Sequence, residues 1–334
     1  MGDTFPIVKV AAVHAASVYL DRDKTVEKAV RLIEEAAAEG AKLIAFPESF
    51  LPGFPFWIST HNPTEGAPLF QALYRNAVTI PSPALDVLSE AARAADAHVV
   101  MGTTERDGGT LYNTVLYFDN KGEIIGRHRK LQPTHVERTI WGRGDGNDLF
   151  VCDTPFGKVG GLTCWEHTMD LVRYSLACMG EQIHVAVWPA VSAMTHNPNS
   201  GLFDSVSEAA AKHHALSTQT FVINVQSRID EDAIEQLGFT DRPDMMRTGG
   251  GWTAIIAPNG QIIAGPHTDD EAIIYAELDM AMIMKAKYAC DSVGHYARPD
   301  VVRLSINRAN NPIFEETGGP AAGGAPADNW VTFS

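Results

Sequence analysis

Apolar residues recur along this chain in two rhythms that keep replacing one another. Residues 7–13 hold Ile7, Val8, Val10 and Val13 in a compact run that reads as a buried strand. Residues 23–40 carry Val26, Ala29, Val30, Ile33 and Ala37 at helical spacing and stop at Gly40, which predicts a helix. Residues 42–46 form a short apolar strand ended by Pro47, residues 82–97 an amphipathic helix, and residues 98–103 another strand. Two hairpins follow. One runs through residues 111–118, the turn Asp119-Asn120-Lys121-Gly122 and residues 123–127; the other through 252–257, Pro258-Asn259-Gly260 and 261–264. Their turn residues supply the positive φ that such hairpins need. Further strands are expected at 158–163, 183–188 and 221–226, and helices at 169–179 and 205–218.

Hairpins mixed with strand–helix units imply an α/β protein with mixed sheets. The hairpins echo one another loosely, as two sheets of similar build would. The folded domain is expected to span residues 1–312. Residues 313–334, rich in Gly, Ala and Pro, bury too little to fold alone and read as a mobile or docking tail.

Composition narrows the function. The 334 residues carry a net charge of −15, with no basic stripe to displace counterions from phosphates, so nucleic acid is excluded as a partner. Asp3 and Lys9 interrupt the N-terminus, which therefore does not read as a signal peptide, and no apolar run is long enough to span a membrane. Cys152, Cys164, Cys178 and Cys290 show no paired spacing, which favours a reducing cytoplasm over a disulfide framework. The twelve histidines read as scattered, with no metal pair; His213 and His214 point to different helix faces.

Three residues carry candidate chemistry. Cys164 follows a strand and precedes a helical pattern, where amides at a helix N-terminus would favour its thiolate. Glu48 stands just past a strand end, where partial desolvation raises a carboxyl toward the range of a base. Lys130 shares a strand face with His128, opposite Arg127 and Arg129. Each has a plainer reading when taken singly: a core cysteine, a capping glutamate, a surface lysine. His167 lies close to Cys164 in sequence, and a structural role suits it better than proton transfer. The Gly-rich run from Trp141 to Gly146 lacks the Lys-Ser/Thr ending of a phosphate loop. Phe54, His135 and Trp188 are candidates for lining a substrate pocket.

Taken together and in order, Phe46-Pro47-Glu48, Arg129-Lys130-Leu131 and Cys164-Trp165-Glu166 resemble the motifs of the nitrilase superfamily of carbon–nitrogen hydrolases. Pro133-Thr134 with Glu137-Arg138 and Trp141-Gly142, Cys164-Trp165-Glu166-His167, and Gly294-His295-Tyr296 with Arg298-Pro299-Asp300 resemble its nitrilase branch. Asp170-Leu171 departs from a Pro-Leu pair frequent in that branch. The resemblance implies a four-layer αββα sandwich, two mixed sheets facing each other with helices outside. It implies hydrolysis of an organic nitrile to a carboxylic acid and ammonia through a cysteine thioimidate and thioester. Cys164 would be the nucleophile, Glu48 the general base and Lys130 the positive partner. Glu137 would orient Lys130, and the backbone N–H of Trp165 would stabilise developing negative charge. No metal or organic cofactor is implied. Homodimers that build to larger or spiral homo-oligomers are. The alternatives are an amidase or carbamoylase of the same superfamily, or a cyanide-hydrolysing enzyme. An assembly protein without activity would be expected to have lost part of the Glu–Lys–Cys set.

Overall fold

In the computed structural model, which describes residues 4–309, two six-stranded sheets face each other. The chain runs β1 (Ile7–His14), α1 (Arg22–Ala38), β2 (Leu43–Ala45), α2 (Pro63–Asn76), α3 (Pro83–Ala94), β3 (His98–Asp107), β4 (Thr110–Phe118) and β5 (Ile124–Arg129). It continues with β6 (Val151–Thr154), β7 (Gly157–Thr163), α4 (Asp170–Cys178), β8 (Ile183–Trp188), α5 (Leu202–Thr218), β9 (Phe221–Gln226) and α6 (Glu231–Gln236). It closes with β10 (Thr253–Ile256), β11 (Ile262–His267), β12 (Ala272–Asp279) and α7 (Ala281–Ala289). The sheet orders are β12-β1-β2-β3-β4-β5 and β11-β10-β9-β8-β7-β6. The expected domain end near residue 312 and the tail 313–334 lie outside the described residues.

Both sheets are mixed, and in the same way. A parallel centre, β1-β2-β3 in one and β7-β8-β9 in the other, is flanked by antiparallel strands. Parallel strands need covering on both faces, and the sequence of β1 provides it. Val8, Val10 and Ala12 enter the core shared with Val185, Val187, Ile223 and Val225 of the second sheet. Ala11 and Val13, one residue out of phase, meet Val26, Ala29 and Ile33 of α1 and Leu85 and Leu88 of α3. Ala211 and Ala215 of α5 cover the outer face of the second sheet against Ala186, Val222 and Ala254. Each buried Val, Leu or Ile side chain contributes roughly 1.5–3 kcal/mol through the water it leaves.

The expected strands and helices are present with ends shifted by a few residues, and the hairpin turns place Gly122 and Gly260 at φ of 83° and 80°. The departure at Asp170 leaves a helix that begins there, with the Asp170 carboxylate accepting from Arg173. The pattern concealed α2, β6, β12, α6 and α7. In α2, Pro63, Gly66 and Pro68 disguise the helical rhythm; Asn62 nonetheless caps it, accepting from the N–H groups of Thr64 and Glu65. β12 is half-buried at a sheet edge and gains its strand character by pairing with β1 over 272–279. Among the described residues no helix is long and apolar enough to cross a membrane.

Candidate active site

Glu48, Lys130 and Cys164 each lie just past the C-terminal end of a strand, and these strand ends meet at one edge of the sandwich. Glu48 follows β2, Lys130 follows β5, which runs with β3, and Cys164 follows β7 across the sandwich. Side chains at that end of a parallel array face a common crevice. The turn holding Glu48 is pressed onto β3. A Cβ at Gly102 would stand 2.0 Å from the Pro47 carbonyl oxygen and 2.9 Å from the Glu48 Cα, so only glycine fits. Cys164 itself has φ of 54°, a left-handed conformation rarely adopted outside glycine, asparagine and aspartate. It opens the 3-10 turn Cys164–Thr168.

The carboxylates and the ammonium form one buried array. Lys130 Nζ donates to Glu48 Oε1 at 2.9 Å and to Glu137 Oε2 at 2.7 Å. Glu137 is held by the backbone N–H of Thr134, which donates to the same Oε2 at 2.8 Å. Ligating atoms of Glu48, Glu137 and Cys164 all lie within 4.8 Å of one another. Burial pushes the Glu48 carboxyl up to about 7; Lys130 opposes that shift and Glu137 adds to it. Burial pulls the Lys130 ammonium down, but Glu137 and Glu48 outweigh it and hold the lysine well above its ordinary value.

The expectation that helix amides favour a resting thiolate is corrected. Burial, reinforced by Glu48, raises the Cys164 thiol well above its ordinary value, and neither Lys130 nor the bond from the Trp165 N–H offsets this. The sulfur is therefore protonated at rest and needs a base. His167 does not supply one. Its Nδ1 lies 2.7 Å from the Cys164 carbonyl oxygen, an acceptor only, so Nδ1 carries the proton. Burial, with His184 adding, holds its ring well below the ordinary histidine range.

Several functional neighbours were not singled out by the sequence reading. Asn113, inside β4, donates to Glu48 Oε1 at 2.6 Å. With Lys130 on the same atom, Oε1 is fully engaged, and Oε2, which has no partner among the described residues, remains to take a proton. Glu166 ties the lysine segment to the nucleophile segment. Its Oε1 accepts from the Leu131 N–H at 2.7 Å, and its Oε2 from the Thr163 N–H and from His128 Nε2, both at 2.8 Å.

The reading of the histidines as scattered is also corrected. His167, His184 and His214 gather with Glu181 in one buried cluster, and Glu181, His184 and His214 offer ligating atoms within 4.8 Å of one another. Hydrogen bonds already engage these groups. His184 Nε2 bonds His167 Nε2 at 2.9 Å, His184 Nδ1 bonds Glu181 Oε1 at 2.8 Å, and His214 Nε2 bonds Glu181 Oε2 at 3.1 Å. Since His167 Nδ1 is the donor, a neutral His167 accepts at Nε2 and His184 donates there, leaving His184 Nδ1 to accept from a protonated Glu181. Burial supports that state, raising Glu181 and lowering His184 to about 3. These partners are brought together by β7, β8 and α5, which no local motif reveals.

Above the array lies a cavity of about 420 Å³. Cys164 and Glu137 reach it, and Phe54, His135, Trp165 and Phe203 are among the residues that line it. Trp188 does not line it. It is fully buried behind the wall, stacked on His167 with ring centroids 4.8 Å apart, because β8 directs it under α5.

A protonated thiol beside a poised carboxylate and a locked ammonium defines a cysteine hydrolase of the Glu–Lys–Cys kind. The chain belongs to the carbon-nitrogen hydrolase family, whose model matches residues 9–288. It is 43% identical over 310 residues to an aliphatic nitrilase of Rhodococcus rhodochrous, covering 91% of this chain and 84% of that one. It is 41% identical to a nitrilase of Bacillus sp. (strain OxB-1), covering 94% and 92%. Its fold resembles that of a carbon-nitrogen hydrolase from Helicobacter pylori G27, with a TM-score of 0.71 at 19% identity over 88% of this chain and 96% of that one.

Proposed function

We propose that this protein is a nitrilase that converts an organic nitrile to a carboxylic acid and ammonia, with Cys164 as nucleophile. The observation that carries the reading is the placing of Cys164, with Glu48 and Glu137 within 4.8 Å, under a largely apolar cavity of about 420 Å³. Nitrilases at 41–43% identity over more than nine-tenths of the chain support it. So does the volume, which suits a substrate far larger than cyanide.

Glu48 Oε2 takes the Cys164 proton as sulfur attacks the nitrile carbon, and the nitrogen receives a proton to give a thioimidate. Lys130 and the Trp165 N–H meet the negative charge that develops on the substrate. Water activated by Glu48 then adds, ammonia leaves, and a second water releases the acid from the thioester. Glu137 holds Lys130 in line through the 2.7 Å bond. Phe54 and His135 border the substrate, and the cavity's aromatic and aliphatic walls favour aliphatic or arylaliphatic nitriles.

The proposal extends to assembly and setting. Leu171 on α4 and Leu216 on α5 are 67% and 58% exposed, and such helix faces suit pairing of subunits into homodimers and larger homo-oligomers. All four cysteines are free, as suits a cytoplasmic protein.

The test is ammonia release from nitriles, matched amides and cyanide by wild type and Cys164→Ala. Cys164-dependent release from organic nitriles is expected. Release confined to amides would make the protein an amidase with the same nucleophile, and undiminished release by Cys164→Ala would overturn the assignment.

A further inference from the structure

Beside Glu48 lies a second, much smaller space of about 10 Å³, room for about one water molecule, which shares only Phe54 with the lining of the substrate cavity. Ser17, Tyr19, Glu48, Phe54, Ser227 and Asp230 are among its walls. Three of these carry buried polar atoms with no hydrogen-bond partner among the described residues: Glu48 Oε2, the Tyr19 hydroxyl and Ser227 Oγ. Tyr19 and Ser227 are 2% and 6% exposed, and Glu48 only 1%. Buried polar atoms are almost always satisfied, and three orphans around a space of this size are what an ordered water requires.

We infer that this cavity is the binding site of the hydrolytic water and delivers it to Glu48 Oε2. The inference rests on the nitrilase reading above. Its physical basis is a problem of access. Once Cys164 carries the substrate carbon, the organic group fills the large cavity, and Glu48 Oε1 is occupied by Lys130 and Asn113. A water held by Tyr19 and Ser227 reaches the free Oε2 without crossing the substrate. Asp230 and Arg228, which also border the space and are only partly buried, mark the side from which it is replenished.

The chemistry balances. Glu48 Oε2 takes one proton of the water as its oxygen bonds to the thioimidate carbon, and the C=N electron pair moves to nitrogen. The nitrogen receives that proton, Glu48 passes it the remaining hydroxyl proton as the oxygen forms C=O, and the C–N bond breaks so that ammonia departs and the thioester is left. A second water from the same site adds likewise to the thioester. The C–S bond then breaks, the sulfur recovers the proton from Glu48, and the free acid leaves. The first step, attack of sulfur on the nitrile, consumes no water and is independent of this cavity.

The experiment uses Ser227→Val, which fills the space, and Tyr19→Phe, which removes one hydroxyl at nearly constant volume. Both are assayed as the full-length protein against wild type on a nitrile that wild type turns over. In Ser227→Val, kcat and KM are expected to fall together by about tenfold, the worth of one lost hydrogen bond to the water. Intact-mass spectrometry of quenched samples should show the covalent adduct on Cys164 accumulating. Added hydroxylamine, competing with the water for the adduct, should divert a larger share of product to hydroxamate. Tyr19→Phe should show the same pattern more weakly, and it decides the matter if circular dichroism shows Ser227→Val to be unfolded. Wild-type kcat, adduct level and hydroxamate share in a folded variant would overturn the inference while leaving the nitrilase reading intact. Failure of wild type to form an adduct with any nitrile would instead remove the reading on which it rests.

Discussion

His128 Nε2 lies 2.8 Å from Glu166 Oε2, and neither side chain has any exposure to solvent. Burial pulls the histidine down, but Glu166 together with Asp148 outweighs it and leaves His128 above its ordinary 6.5; burial pushes Glu166 up, but His128 together with the N–H groups of Leu131 and Thr163 outweighs it and leaves the carboxyl below its ordinary 4.5. The pair is therefore ionic, and its Glu166 partner also fastens Leu131 beside Lys130 to Thr163 beside Cys164.

The pair's pH window follows from the signs. A raised histidine stabilises fully below about pH 6.5 and loses that stability as pH rises through its folded value. A depressed carboxyl stabilises fully above about pH 4.5 and loses that as pH falls through its folded value. The contribution is thus largest between these limits. His128→Asn should cost about 3–5 kcal/mol, as expected for a buried charge left unpaired. Thermal melts of wild type and variant from pH 4 to 9 should differ most between pH 4.5 and 6.5. A constant difference across the range would reject an ionic pair.

Glu48 must be unprotonated to accept the thiol proton, so activity should rise with pH through about 7. Glu48→Gln should lose about 10²–10⁴-fold in kcat. Asn113→Leu removes a hydrogen bond to the charged form, so the rising limb should move to higher pH. Initial rates across pH with one nitrile would show both effects.

Lys130→Met should lose about 10²–10³-fold in kcat through lost charge stabilisation, provided circular dichroism shows the fold retained. Lys130→Arg should not restore the rate. A planar guanidinium cannot replace a compact ammonium seated between Glu48 and Glu137 at 2.9 and 2.7 Å.

Gly102→Ala should destabilise the protein by about 1–3 kcal/mol, since its new methyl collides with the backbone of the Glu48 turn. Activity should fall more than stability alone explains, because the collision displaces the Glu48 carboxylate. Denaturant titration together with kcat would separate the two losses.

The sequence by itself determined the order of most strands and helices, because alternation and helical spacing are local properties of the chain. It also marked Glu48, Lys130 and Cys164, since each ends a recognisable strand in a distinctive tripeptide. It did not reveal α2, whose prolines and glycine break the rhythm, or β12, whose identity depends on pairing with β1 more than 250 residues away. Only the tertiary structure decided the charge states. Cys164 stays a thiol, Glu48 rises to about 7 and the Glu181 carboxyl is pushed up because burial strips these groups of water, and burial depends on what the rest of the chain stacks above them. The structure alone likewise placed Asn113 on Glu48, Glu166 between two loops and Trp188 behind the cavity wall. Those contacts join segments distant in sequence, and a local pattern carries no information about which of them will meet.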